Sequence, residues 1–170
     1  MPRMNTPVVT STQSIELPGP PDGLEARARP ELLLGLLQDY FAVAERSAAH
    51  LVRVRWSDAR PRFTLLWPPL ALIAMGPPEY ESSPQRCAVS LDVLGGWLVD
   101  PAASPRLSIA LTRRADDLVA SVELRDYAPR WVQSAAVRWL YLHSQVPIHE
   151  QVGLSYLRQL KHRWLAGTPS

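Results

Sequence analysis

Between Cys87 and Arg125 the chain alternates apolar and polar residues through three successive runs, and that period of two is its strongest constraint. Cys87, Val89, Leu91 and Val93 are apolar, with Ala88, Ser90 and Asp92 between them. Leu107, Ile109 and Leu111 alternate with Ser108, Ala110 and Thr112. Leu118, Ala120, Val122 and Leu124 then oppose Ser121, Glu123 and Arg125. Side chains of a strand point to opposite faces in turn, so these runs predict an antiparallel sheet with one buried face. The Asp100–Pro105 and Arg114–Asp117 segments supply the turns. Such a face must be covered, and only the C-terminal 40 residues hold an apolar stripe long enough to do it.

That stripe begins after Pro129. Val132, Ala136, Trp139, Leu140 and His143 run at helical spacing, followed by Ile148, Val152, Tyr156, Leu157, Leu160 and Trp164. Pro147 lies inside the pattern and is expected to kink the helix or split it; Gly167 and Pro169 end it. A first helix opens at Pro30, with Glu31 in its first turn and Leu32, Leu33, Leu36, Leu37, Tyr40, Phe41 and Val43 on one side, and ends near Ala49 or His50.

Shorter strands fill the middle: Leu51–Trp56, Arg62–Trp67 after a Ser57–Pro61 turn, and Leu70–Met75, closed by Gly76-Pro77-Pro78. Glu79 to Gln85 reads as a loop. Gly95-Gly96 predicts a bulge or a close backbone approach before Trp97-Leu98-Val99 resumes the strand. Upstream, Val8 to Leu17 is either an edge strand or a disordered arm, because Pro18, Gly19, Pro20, Pro21 and Gly23 isolate it. The expected division is a Pro-rich arm over 1–29 and a single domain over 30–166, with residues 1–25 dispensable for folding. The fold class is α+β: about six or seven antiparallel strands curved around a long C-terminal helix, with one N-terminal helix.

With this order, the layout resembles the helix-grip fold of the START/polyketide-cyclase-like (SRPBCC) superfamily. Leu94-Gly95-Gly96-Trp97-Leu98-Val99 and Tyr141-Leu142-His143-Ser144-Gln145 through Ile148-His149 are similar to patterns in uncharacterised bacterial members. The resemblance implies a cavity for an apolar ligand, often without catalysis, and it places no catalytic residue here.

Side-chain chemistry narrows the function. Eighteen basic residues face sixteen acidic ones, and Lys161 is the only lysine. The arginines are interspersed with acids, as at Arg113, Arg114, Asp116 and Asp117, so no nucleic-acid partner is expected. The apolar run Leu65–Met75 contains Pro68 and Pro69 and falls short of the ~20 residues of a spanning helix. Met1 to Thr12 has no secretory h-region, and a cytoplasmic location is expected. Cys87 is expected to be a buried, inert thiol.

His143, His149 and Glu150 invite a metal reading. Six residues on an ideal helix give about 240° of net rotation, which separates the two imidazoles, so no metal or other cofactor is expected. Asp92, Glu123 and Asp126 are expected on solvated faces or in salt bridges with Arg106 or Arg125. Tyr141, Gln145 and His149 recur every four residues and predict a polar ladder on one side of the C-terminal helix, either lining a ligand cavity or bonding a buried partner. Of six tryptophans, Trp97 and Trp139 are expected in the core, within reach of a ligand.

The candidate ligand residues are therefore Tyr141, Gln145, His149, Trp97 and Trp139, with no catalytic residue assigned. The leading function is a non-catalytic binding domain for an apolar small molecule or a protein partner. The alternatives are a cyclase- or hydratase-like enzyme using Tyr141 and His149, and a structural subunit or assembly factor.

Overall fold

The computed structural model describes residues 8–18, 29–48, 51–67, 69–100, 102–114, 117–128 and 135–166. Its strands are β1 (Val9–Leu17), β2 (Val52–Ser57), β3 (Arg60–Leu65), β4 (Leu70–Met75), β5 (Glu79–Ser82), β6 (Arg86–Gly95), β7 (Arg106–Arg114) and β8 (Asp117–Tyr127). The helices are α1 (Pro30–Ser47) and α2 (Ala135–Leu165). The strands form one antiparallel sheet ordered β1-β8-β7-β6-β4-β3-β2, with β5 also on β6. β6 is where the sheet divides. Cys87 to Ser90 pair with β5 on the side away from β7, and Val93 and Gly95 then pair with β4 on that same side.

The alternation places the core as expected. Cys87, Val89, Leu91 and Val93 of β6, Leu107, Ile109 and Leu111 of β7, and Leu118, Ala120 and Val122 of β8 are all buried on the inner face. Pro30 and Glu31 open α1, which buries Leu33, Leu36, Leu37, Tyr40, Phe41 and Val43. The described end of α2 buries Val152, Tyr156, Leu157 and Leu160. Its outer turns are tied down by an Arg163–Asp39 ion pair and by Arg46 donating to Gln159 Oε1 at 3.2 Å.

Several expectations change. The Glu79–Gln85 loop contains a strand, because Glu79–Ser82 pairs with Cys87–Ser90. All four β5 residues are exposed, so burial leaves no alternation to read. The Arg62–Trp67 strand instead starts at Arg60, after a two-residue turn in which Asp58 (φ 49°) and Ala59 (φ 60°) are both left-handed. Trp97-Leu98 is a turn rather than a resumed strand, held by Trp97 and Leu98 N–H groups donating to the carbonyls of Ala71 and Leu72 at 3.0 and 3.1 Å. α2 runs unbroken through residue 147, so Pro147 does not split it. Pro129 and residues 49–50 lie outside the described residues.

Of the two readings of residues 8–17, the structure has the strand. β1 pairs with β8 from Val9↔Tyr127 to Leu17↔Leu118, with an irregularity between Val9 and Ser11. Ile15 and Leu17 lie opposite Ala120 and Leu118 on the inner face, and Leu17 is wholly buried. Pro18 continues the attachment, its carbonyl accepting the Trp164 indole N–H at 3.0 Å. This pairing makes Val9–Leu17 part of the sheet, which argues against the expectation that residues 1–25 are dispensable.

Candidate functional site

The inner face of the sheet is apolar along β6 to β8 and on β2 to β4 at Val54, Phe63 and Ile73. Among the described residues none that is polar or charged is buried. The β6–β8 half is closed off. On the β2–β4 half, Val54, Phe63 and Ile73 pack against the core but remain partly accessible. Register explains why these three share a face: Val54 lies opposite Phe63, and Phe63 opposite Ile73.

An aromatic seam crosses from α2 to this half. The Tyr156 ring meets Tyr40 edge-on at 5.5 Å between centroids, Tyr40 lies 5.7 Å from Phe41, and Phe41 contacts Phe63 at 5.2 Å and Trp56 at 5.7 Å. Tilted and edge-to-face rings at these separations attract beyond their area burial. Burial pushes the Tyr40 hydroxyl up to about 12 and raises Tyr156 further, by desolvation first and then by the nearby Asp39 carboxylate. Both phenols are therefore neutral near pH 7.

The Tyr156 hydroxyl is buried and has no hydrogen-bond partner among the described residues. It sits under a shallow recess lined by Asp39, Gln159, Leu160 and Arg163. Tyr156→Phe is expected to leave stability unchanged or raise it by up to about 1 kcal/mol, since it removes an unsatisfied buried group and keeps the ring. Urea denaturation reads this directly; a loss above about 1 kcal/mol would show that the hydroxyl has a partner.

Polar groups do reach the inner face from β1. Ser11 and Gln13 lie opposite Leu124 and Val122, and Gln13 Nε2 donates to Ser11 Oγ at 2.5 Å. The Gln13 side chain lies on Gly153 of α2: a Cβ built there falls 3.1 Å from Gln13 Cδ. Gly153 thus lets helix and strand approach with a carboxamide between them. The sequence reading missed Gln13, Ser11 and Gly153. Odd-numbered residues of β1 do point inward, but a contact between positions 13 and 153 has no local signature.

The expected site residues fare differently. Trp97 is not in the core: it is 42% exposed, carried outward by the turn that Gly96 opens. Tyr141, Gln145, His149 and Trp139 lie on the continuous helix α2, as does His143, but their side chains are outside the described residues. Trp131 is also outside. Glu150 is exposed, and no cluster of metal-ligating side chains occurs among the described residues. Asp92 pairs with Arg106 at 2.9 Å, and Glu123 with Arg125 at 2.8 Å. Asp126 is exposed with φ 53°. Cys87 is fully buried, and burial raises its thiol against the opposing effects of a Leu111 backbone hydrogen bond and Arg86.

No family model and no curated sequence matches the chain. Among solved structures it is similar to TTHA0849 from Thermus thermophilus, with 14% identity and a TM-score of 0.51 over 94% of this chain and 99% of that one. It is also similar to a START superfamily protein from Mycobacterium smegmatis (10% identity, TM-score 0.41, covering 89% and 98%) and to Ara h 8.0201 (10%, 0.43, covering 89% and 99%). Likeness at such identity is one of fold. An antiparallel sheet packed by a long C-terminal helix, with a shorter helix beside it, is the helix-grip arrangement, and the likeness to TTHA0849 extends to that fold.

Proposed function

We propose that this helix-grip chain is a non-catalytic binding domain that holds an apolar small molecule between the β2–β4 half of the sheet and α2. One observation carries the reading: Val54, Phe63 and Ile73 stay partly accessible on an inner face where no described polar or charged residue is buried. Ligand pockets are mostly apolar with a few placed polar groups. The polar groups proposed here are Tyr141, Gln145 and His149. They recur every four residues along α2, the helix whose described end buries Val152, Tyr156 and Leu160. Trp139 is proposed to flank them; Trp97, exposed on its turn, is not retained as a ligand residue.

A protein partner is the other occupant this reading allows, and a bacterial cytoplasm its proposed setting. No helix among the described residues is long and apolar enough to cross a membrane. The enzyme alternative would draw its acid–base chemistry from Tyr141 and His149, since no described buried residue is charged. The structural-subunit alternative would rest on the exposed apolar residues instead.

His149→Leu separates a cavity group from a buried hydrogen-bonding one. A cavity histidine is retained at some cost to stability, so its loss should leave the melting temperature unchanged or higher and alter uptake of the dye 1-anilinonaphthalene-8-sulfonate. A loss of about 1–3 kcal/mol with unaltered dye uptake would mean that His149 satisfies a buried partner.

A further inference from the structure

The β2–β3 hairpin carries a surface that ligand binding does not use. Its register fixes which residues share the outward face: Arg53, Arg55 and Ser57 on β2, with Thr64, Arg62 and Arg60 opposite them. Arg55 thus lies directly across from Arg62. All four arginines are exposed, and none forms an ion pair among the described residues. Asp58, in the turn, is the hairpin's one carboxylate. Glu45 of α1 reaches the free edge of β2, where it accepts the Val54 N–H. Like charges directly opposed on neighbouring strands are unfavourable, and a bound anion relieves that repulsion.

The register continues past the open end of the hairpin into apolar residues. Leu66 N–H donates to the Leu51 carbonyl at 3.0 Å, and Trp67 follows. Leu51 is 63% exposed, Leu66 44% and Trp67 87%. This apolar tip stands about 7 Å, two strand residues, from Arg53.

The geometry points to this hairpin as a docking surface for an anionic phospholipid bilayer. Tryptophan and leucine suit the headgroup–acyl boundary, which an apolar face enters by about 5–10 Å. At that depth Arg53 stands level with phosphate oxygens, and Arg55 and Arg62, two strand residues further from the tip, face the anionic headgroup surface; guanidinium groups bind phosphate bidentately. A single-stranded RNA would use the indole face and the arginines but would leave two exposed leucines without a role.

The test is co-sedimentation of the full chain with vesicles of phosphatidylcholine containing about one-third phosphatidylserine. Pure phosphatidylcholine vesicles and labelled polyuridylate are run alongside. Binding to the anionic vesicles should exceed binding to neutral ones by roughly tenfold and weaken steeply with added salt. Arg55→Gln/Arg62→Gln and, separately, Trp67→Ser should each lower vesicle binding by roughly fivefold or more without lowering the melting temperature, because all three side chains are exposed. Either variant alone suffices if the other fails to fold. The proposal is overturned if the anionic vesicles do not bind, if both variants bind as the wild type does, or if polyuridylate binds in their place.

Discussion

Replacing Gly96 with alanine is expected to destabilise the fold by about 3 kcal/mol or more. Two independent costs act at this position. Gly96 has φ 137°, a conformation that a residue with a Cβ rarely adopts. The added Cβ would also lie 2.7 Å from the Leu72 carbonyl carbon and 2.8 Å from Ile73 Cα, and these are backbone atoms that no rotamer change can move. β4 would have to retreat, breaking the Trp97 and Leu98 hydrogen bonds to Ala71 and Leu72 that close the turn. Gly95 provides the control. Its φ is 147°, but a Cβ there meets nothing within 4 Å, so Gly95→Ala should cost only the backbone strain, about 1–2 kcal/mol. Urea denaturation of the two variants compares them directly. Equal losses would mean that β4 does not abut Gly96.

Deletion of residues 1–17 is expected to abolish cooperative unfolding or to lower the melting temperature by more than about 15 °C. Leu17 alone is wholly buried, and truncating such a leucine to alanine costs about 2–5 kcal/mol. The deletion also removes Ile15 from the core, uncovers the backbone of β8 from Leu118 to Leu124, and takes Gln13 from beneath Gly153. Against a total stability of about 5–15 kcal/mol, these losses leave little or none. A circular-dichroism melt reads the result. A shift of a few degrees would show that the fold is complete without β1.

Both effects bear on what the sequence reveals. The Gly95-Gly96 pair is legible because glycine inside a strand pattern signals a bulge or a close approach, and both occur: the β4–β6 register shifts between Val93 and Gly95, and Gly96 lies close against β4. The long strands were legible because one face is buried and the other wet, as in β6 to β8. β5 was not, since Glu79, Tyr80, Glu81 and Ser82 are all exposed and only backbone pairing makes them a strand. The turn is two residues, Asp58-Ala59, and not the five of Ser57–Pro61, because alanine does not advertise a positive φ.

Within the candidate site, Tyr156 was legible as part of the apolar face of α2, and its buried neighbours confirm the phase. Trp97 was misread, since a large aromatic next to a strand suggests core, whereas the chain direction after Gly96 turns it outward. Gln13 against Gly153 was beyond reach, because it depends on how β1 and α2 meet across 140 positions of sequence. The outward arginines of β2 and β3 alternate visibly in the sequence. Their convergence depends on the register that sets Arg55 across from Arg62.

The most direct test of the binding reading is native mass spectrometry of the protein purified, without detergent, from the cells that make it. The account predicts a species heavier than the chain by one small molecule, which is released in organic solvent and extracts as an apolar compound. A spectrum showing the bare chain mass alone, from protein that also takes up no 1-anilinonaphthalene-8-sulfonate, would contradict it.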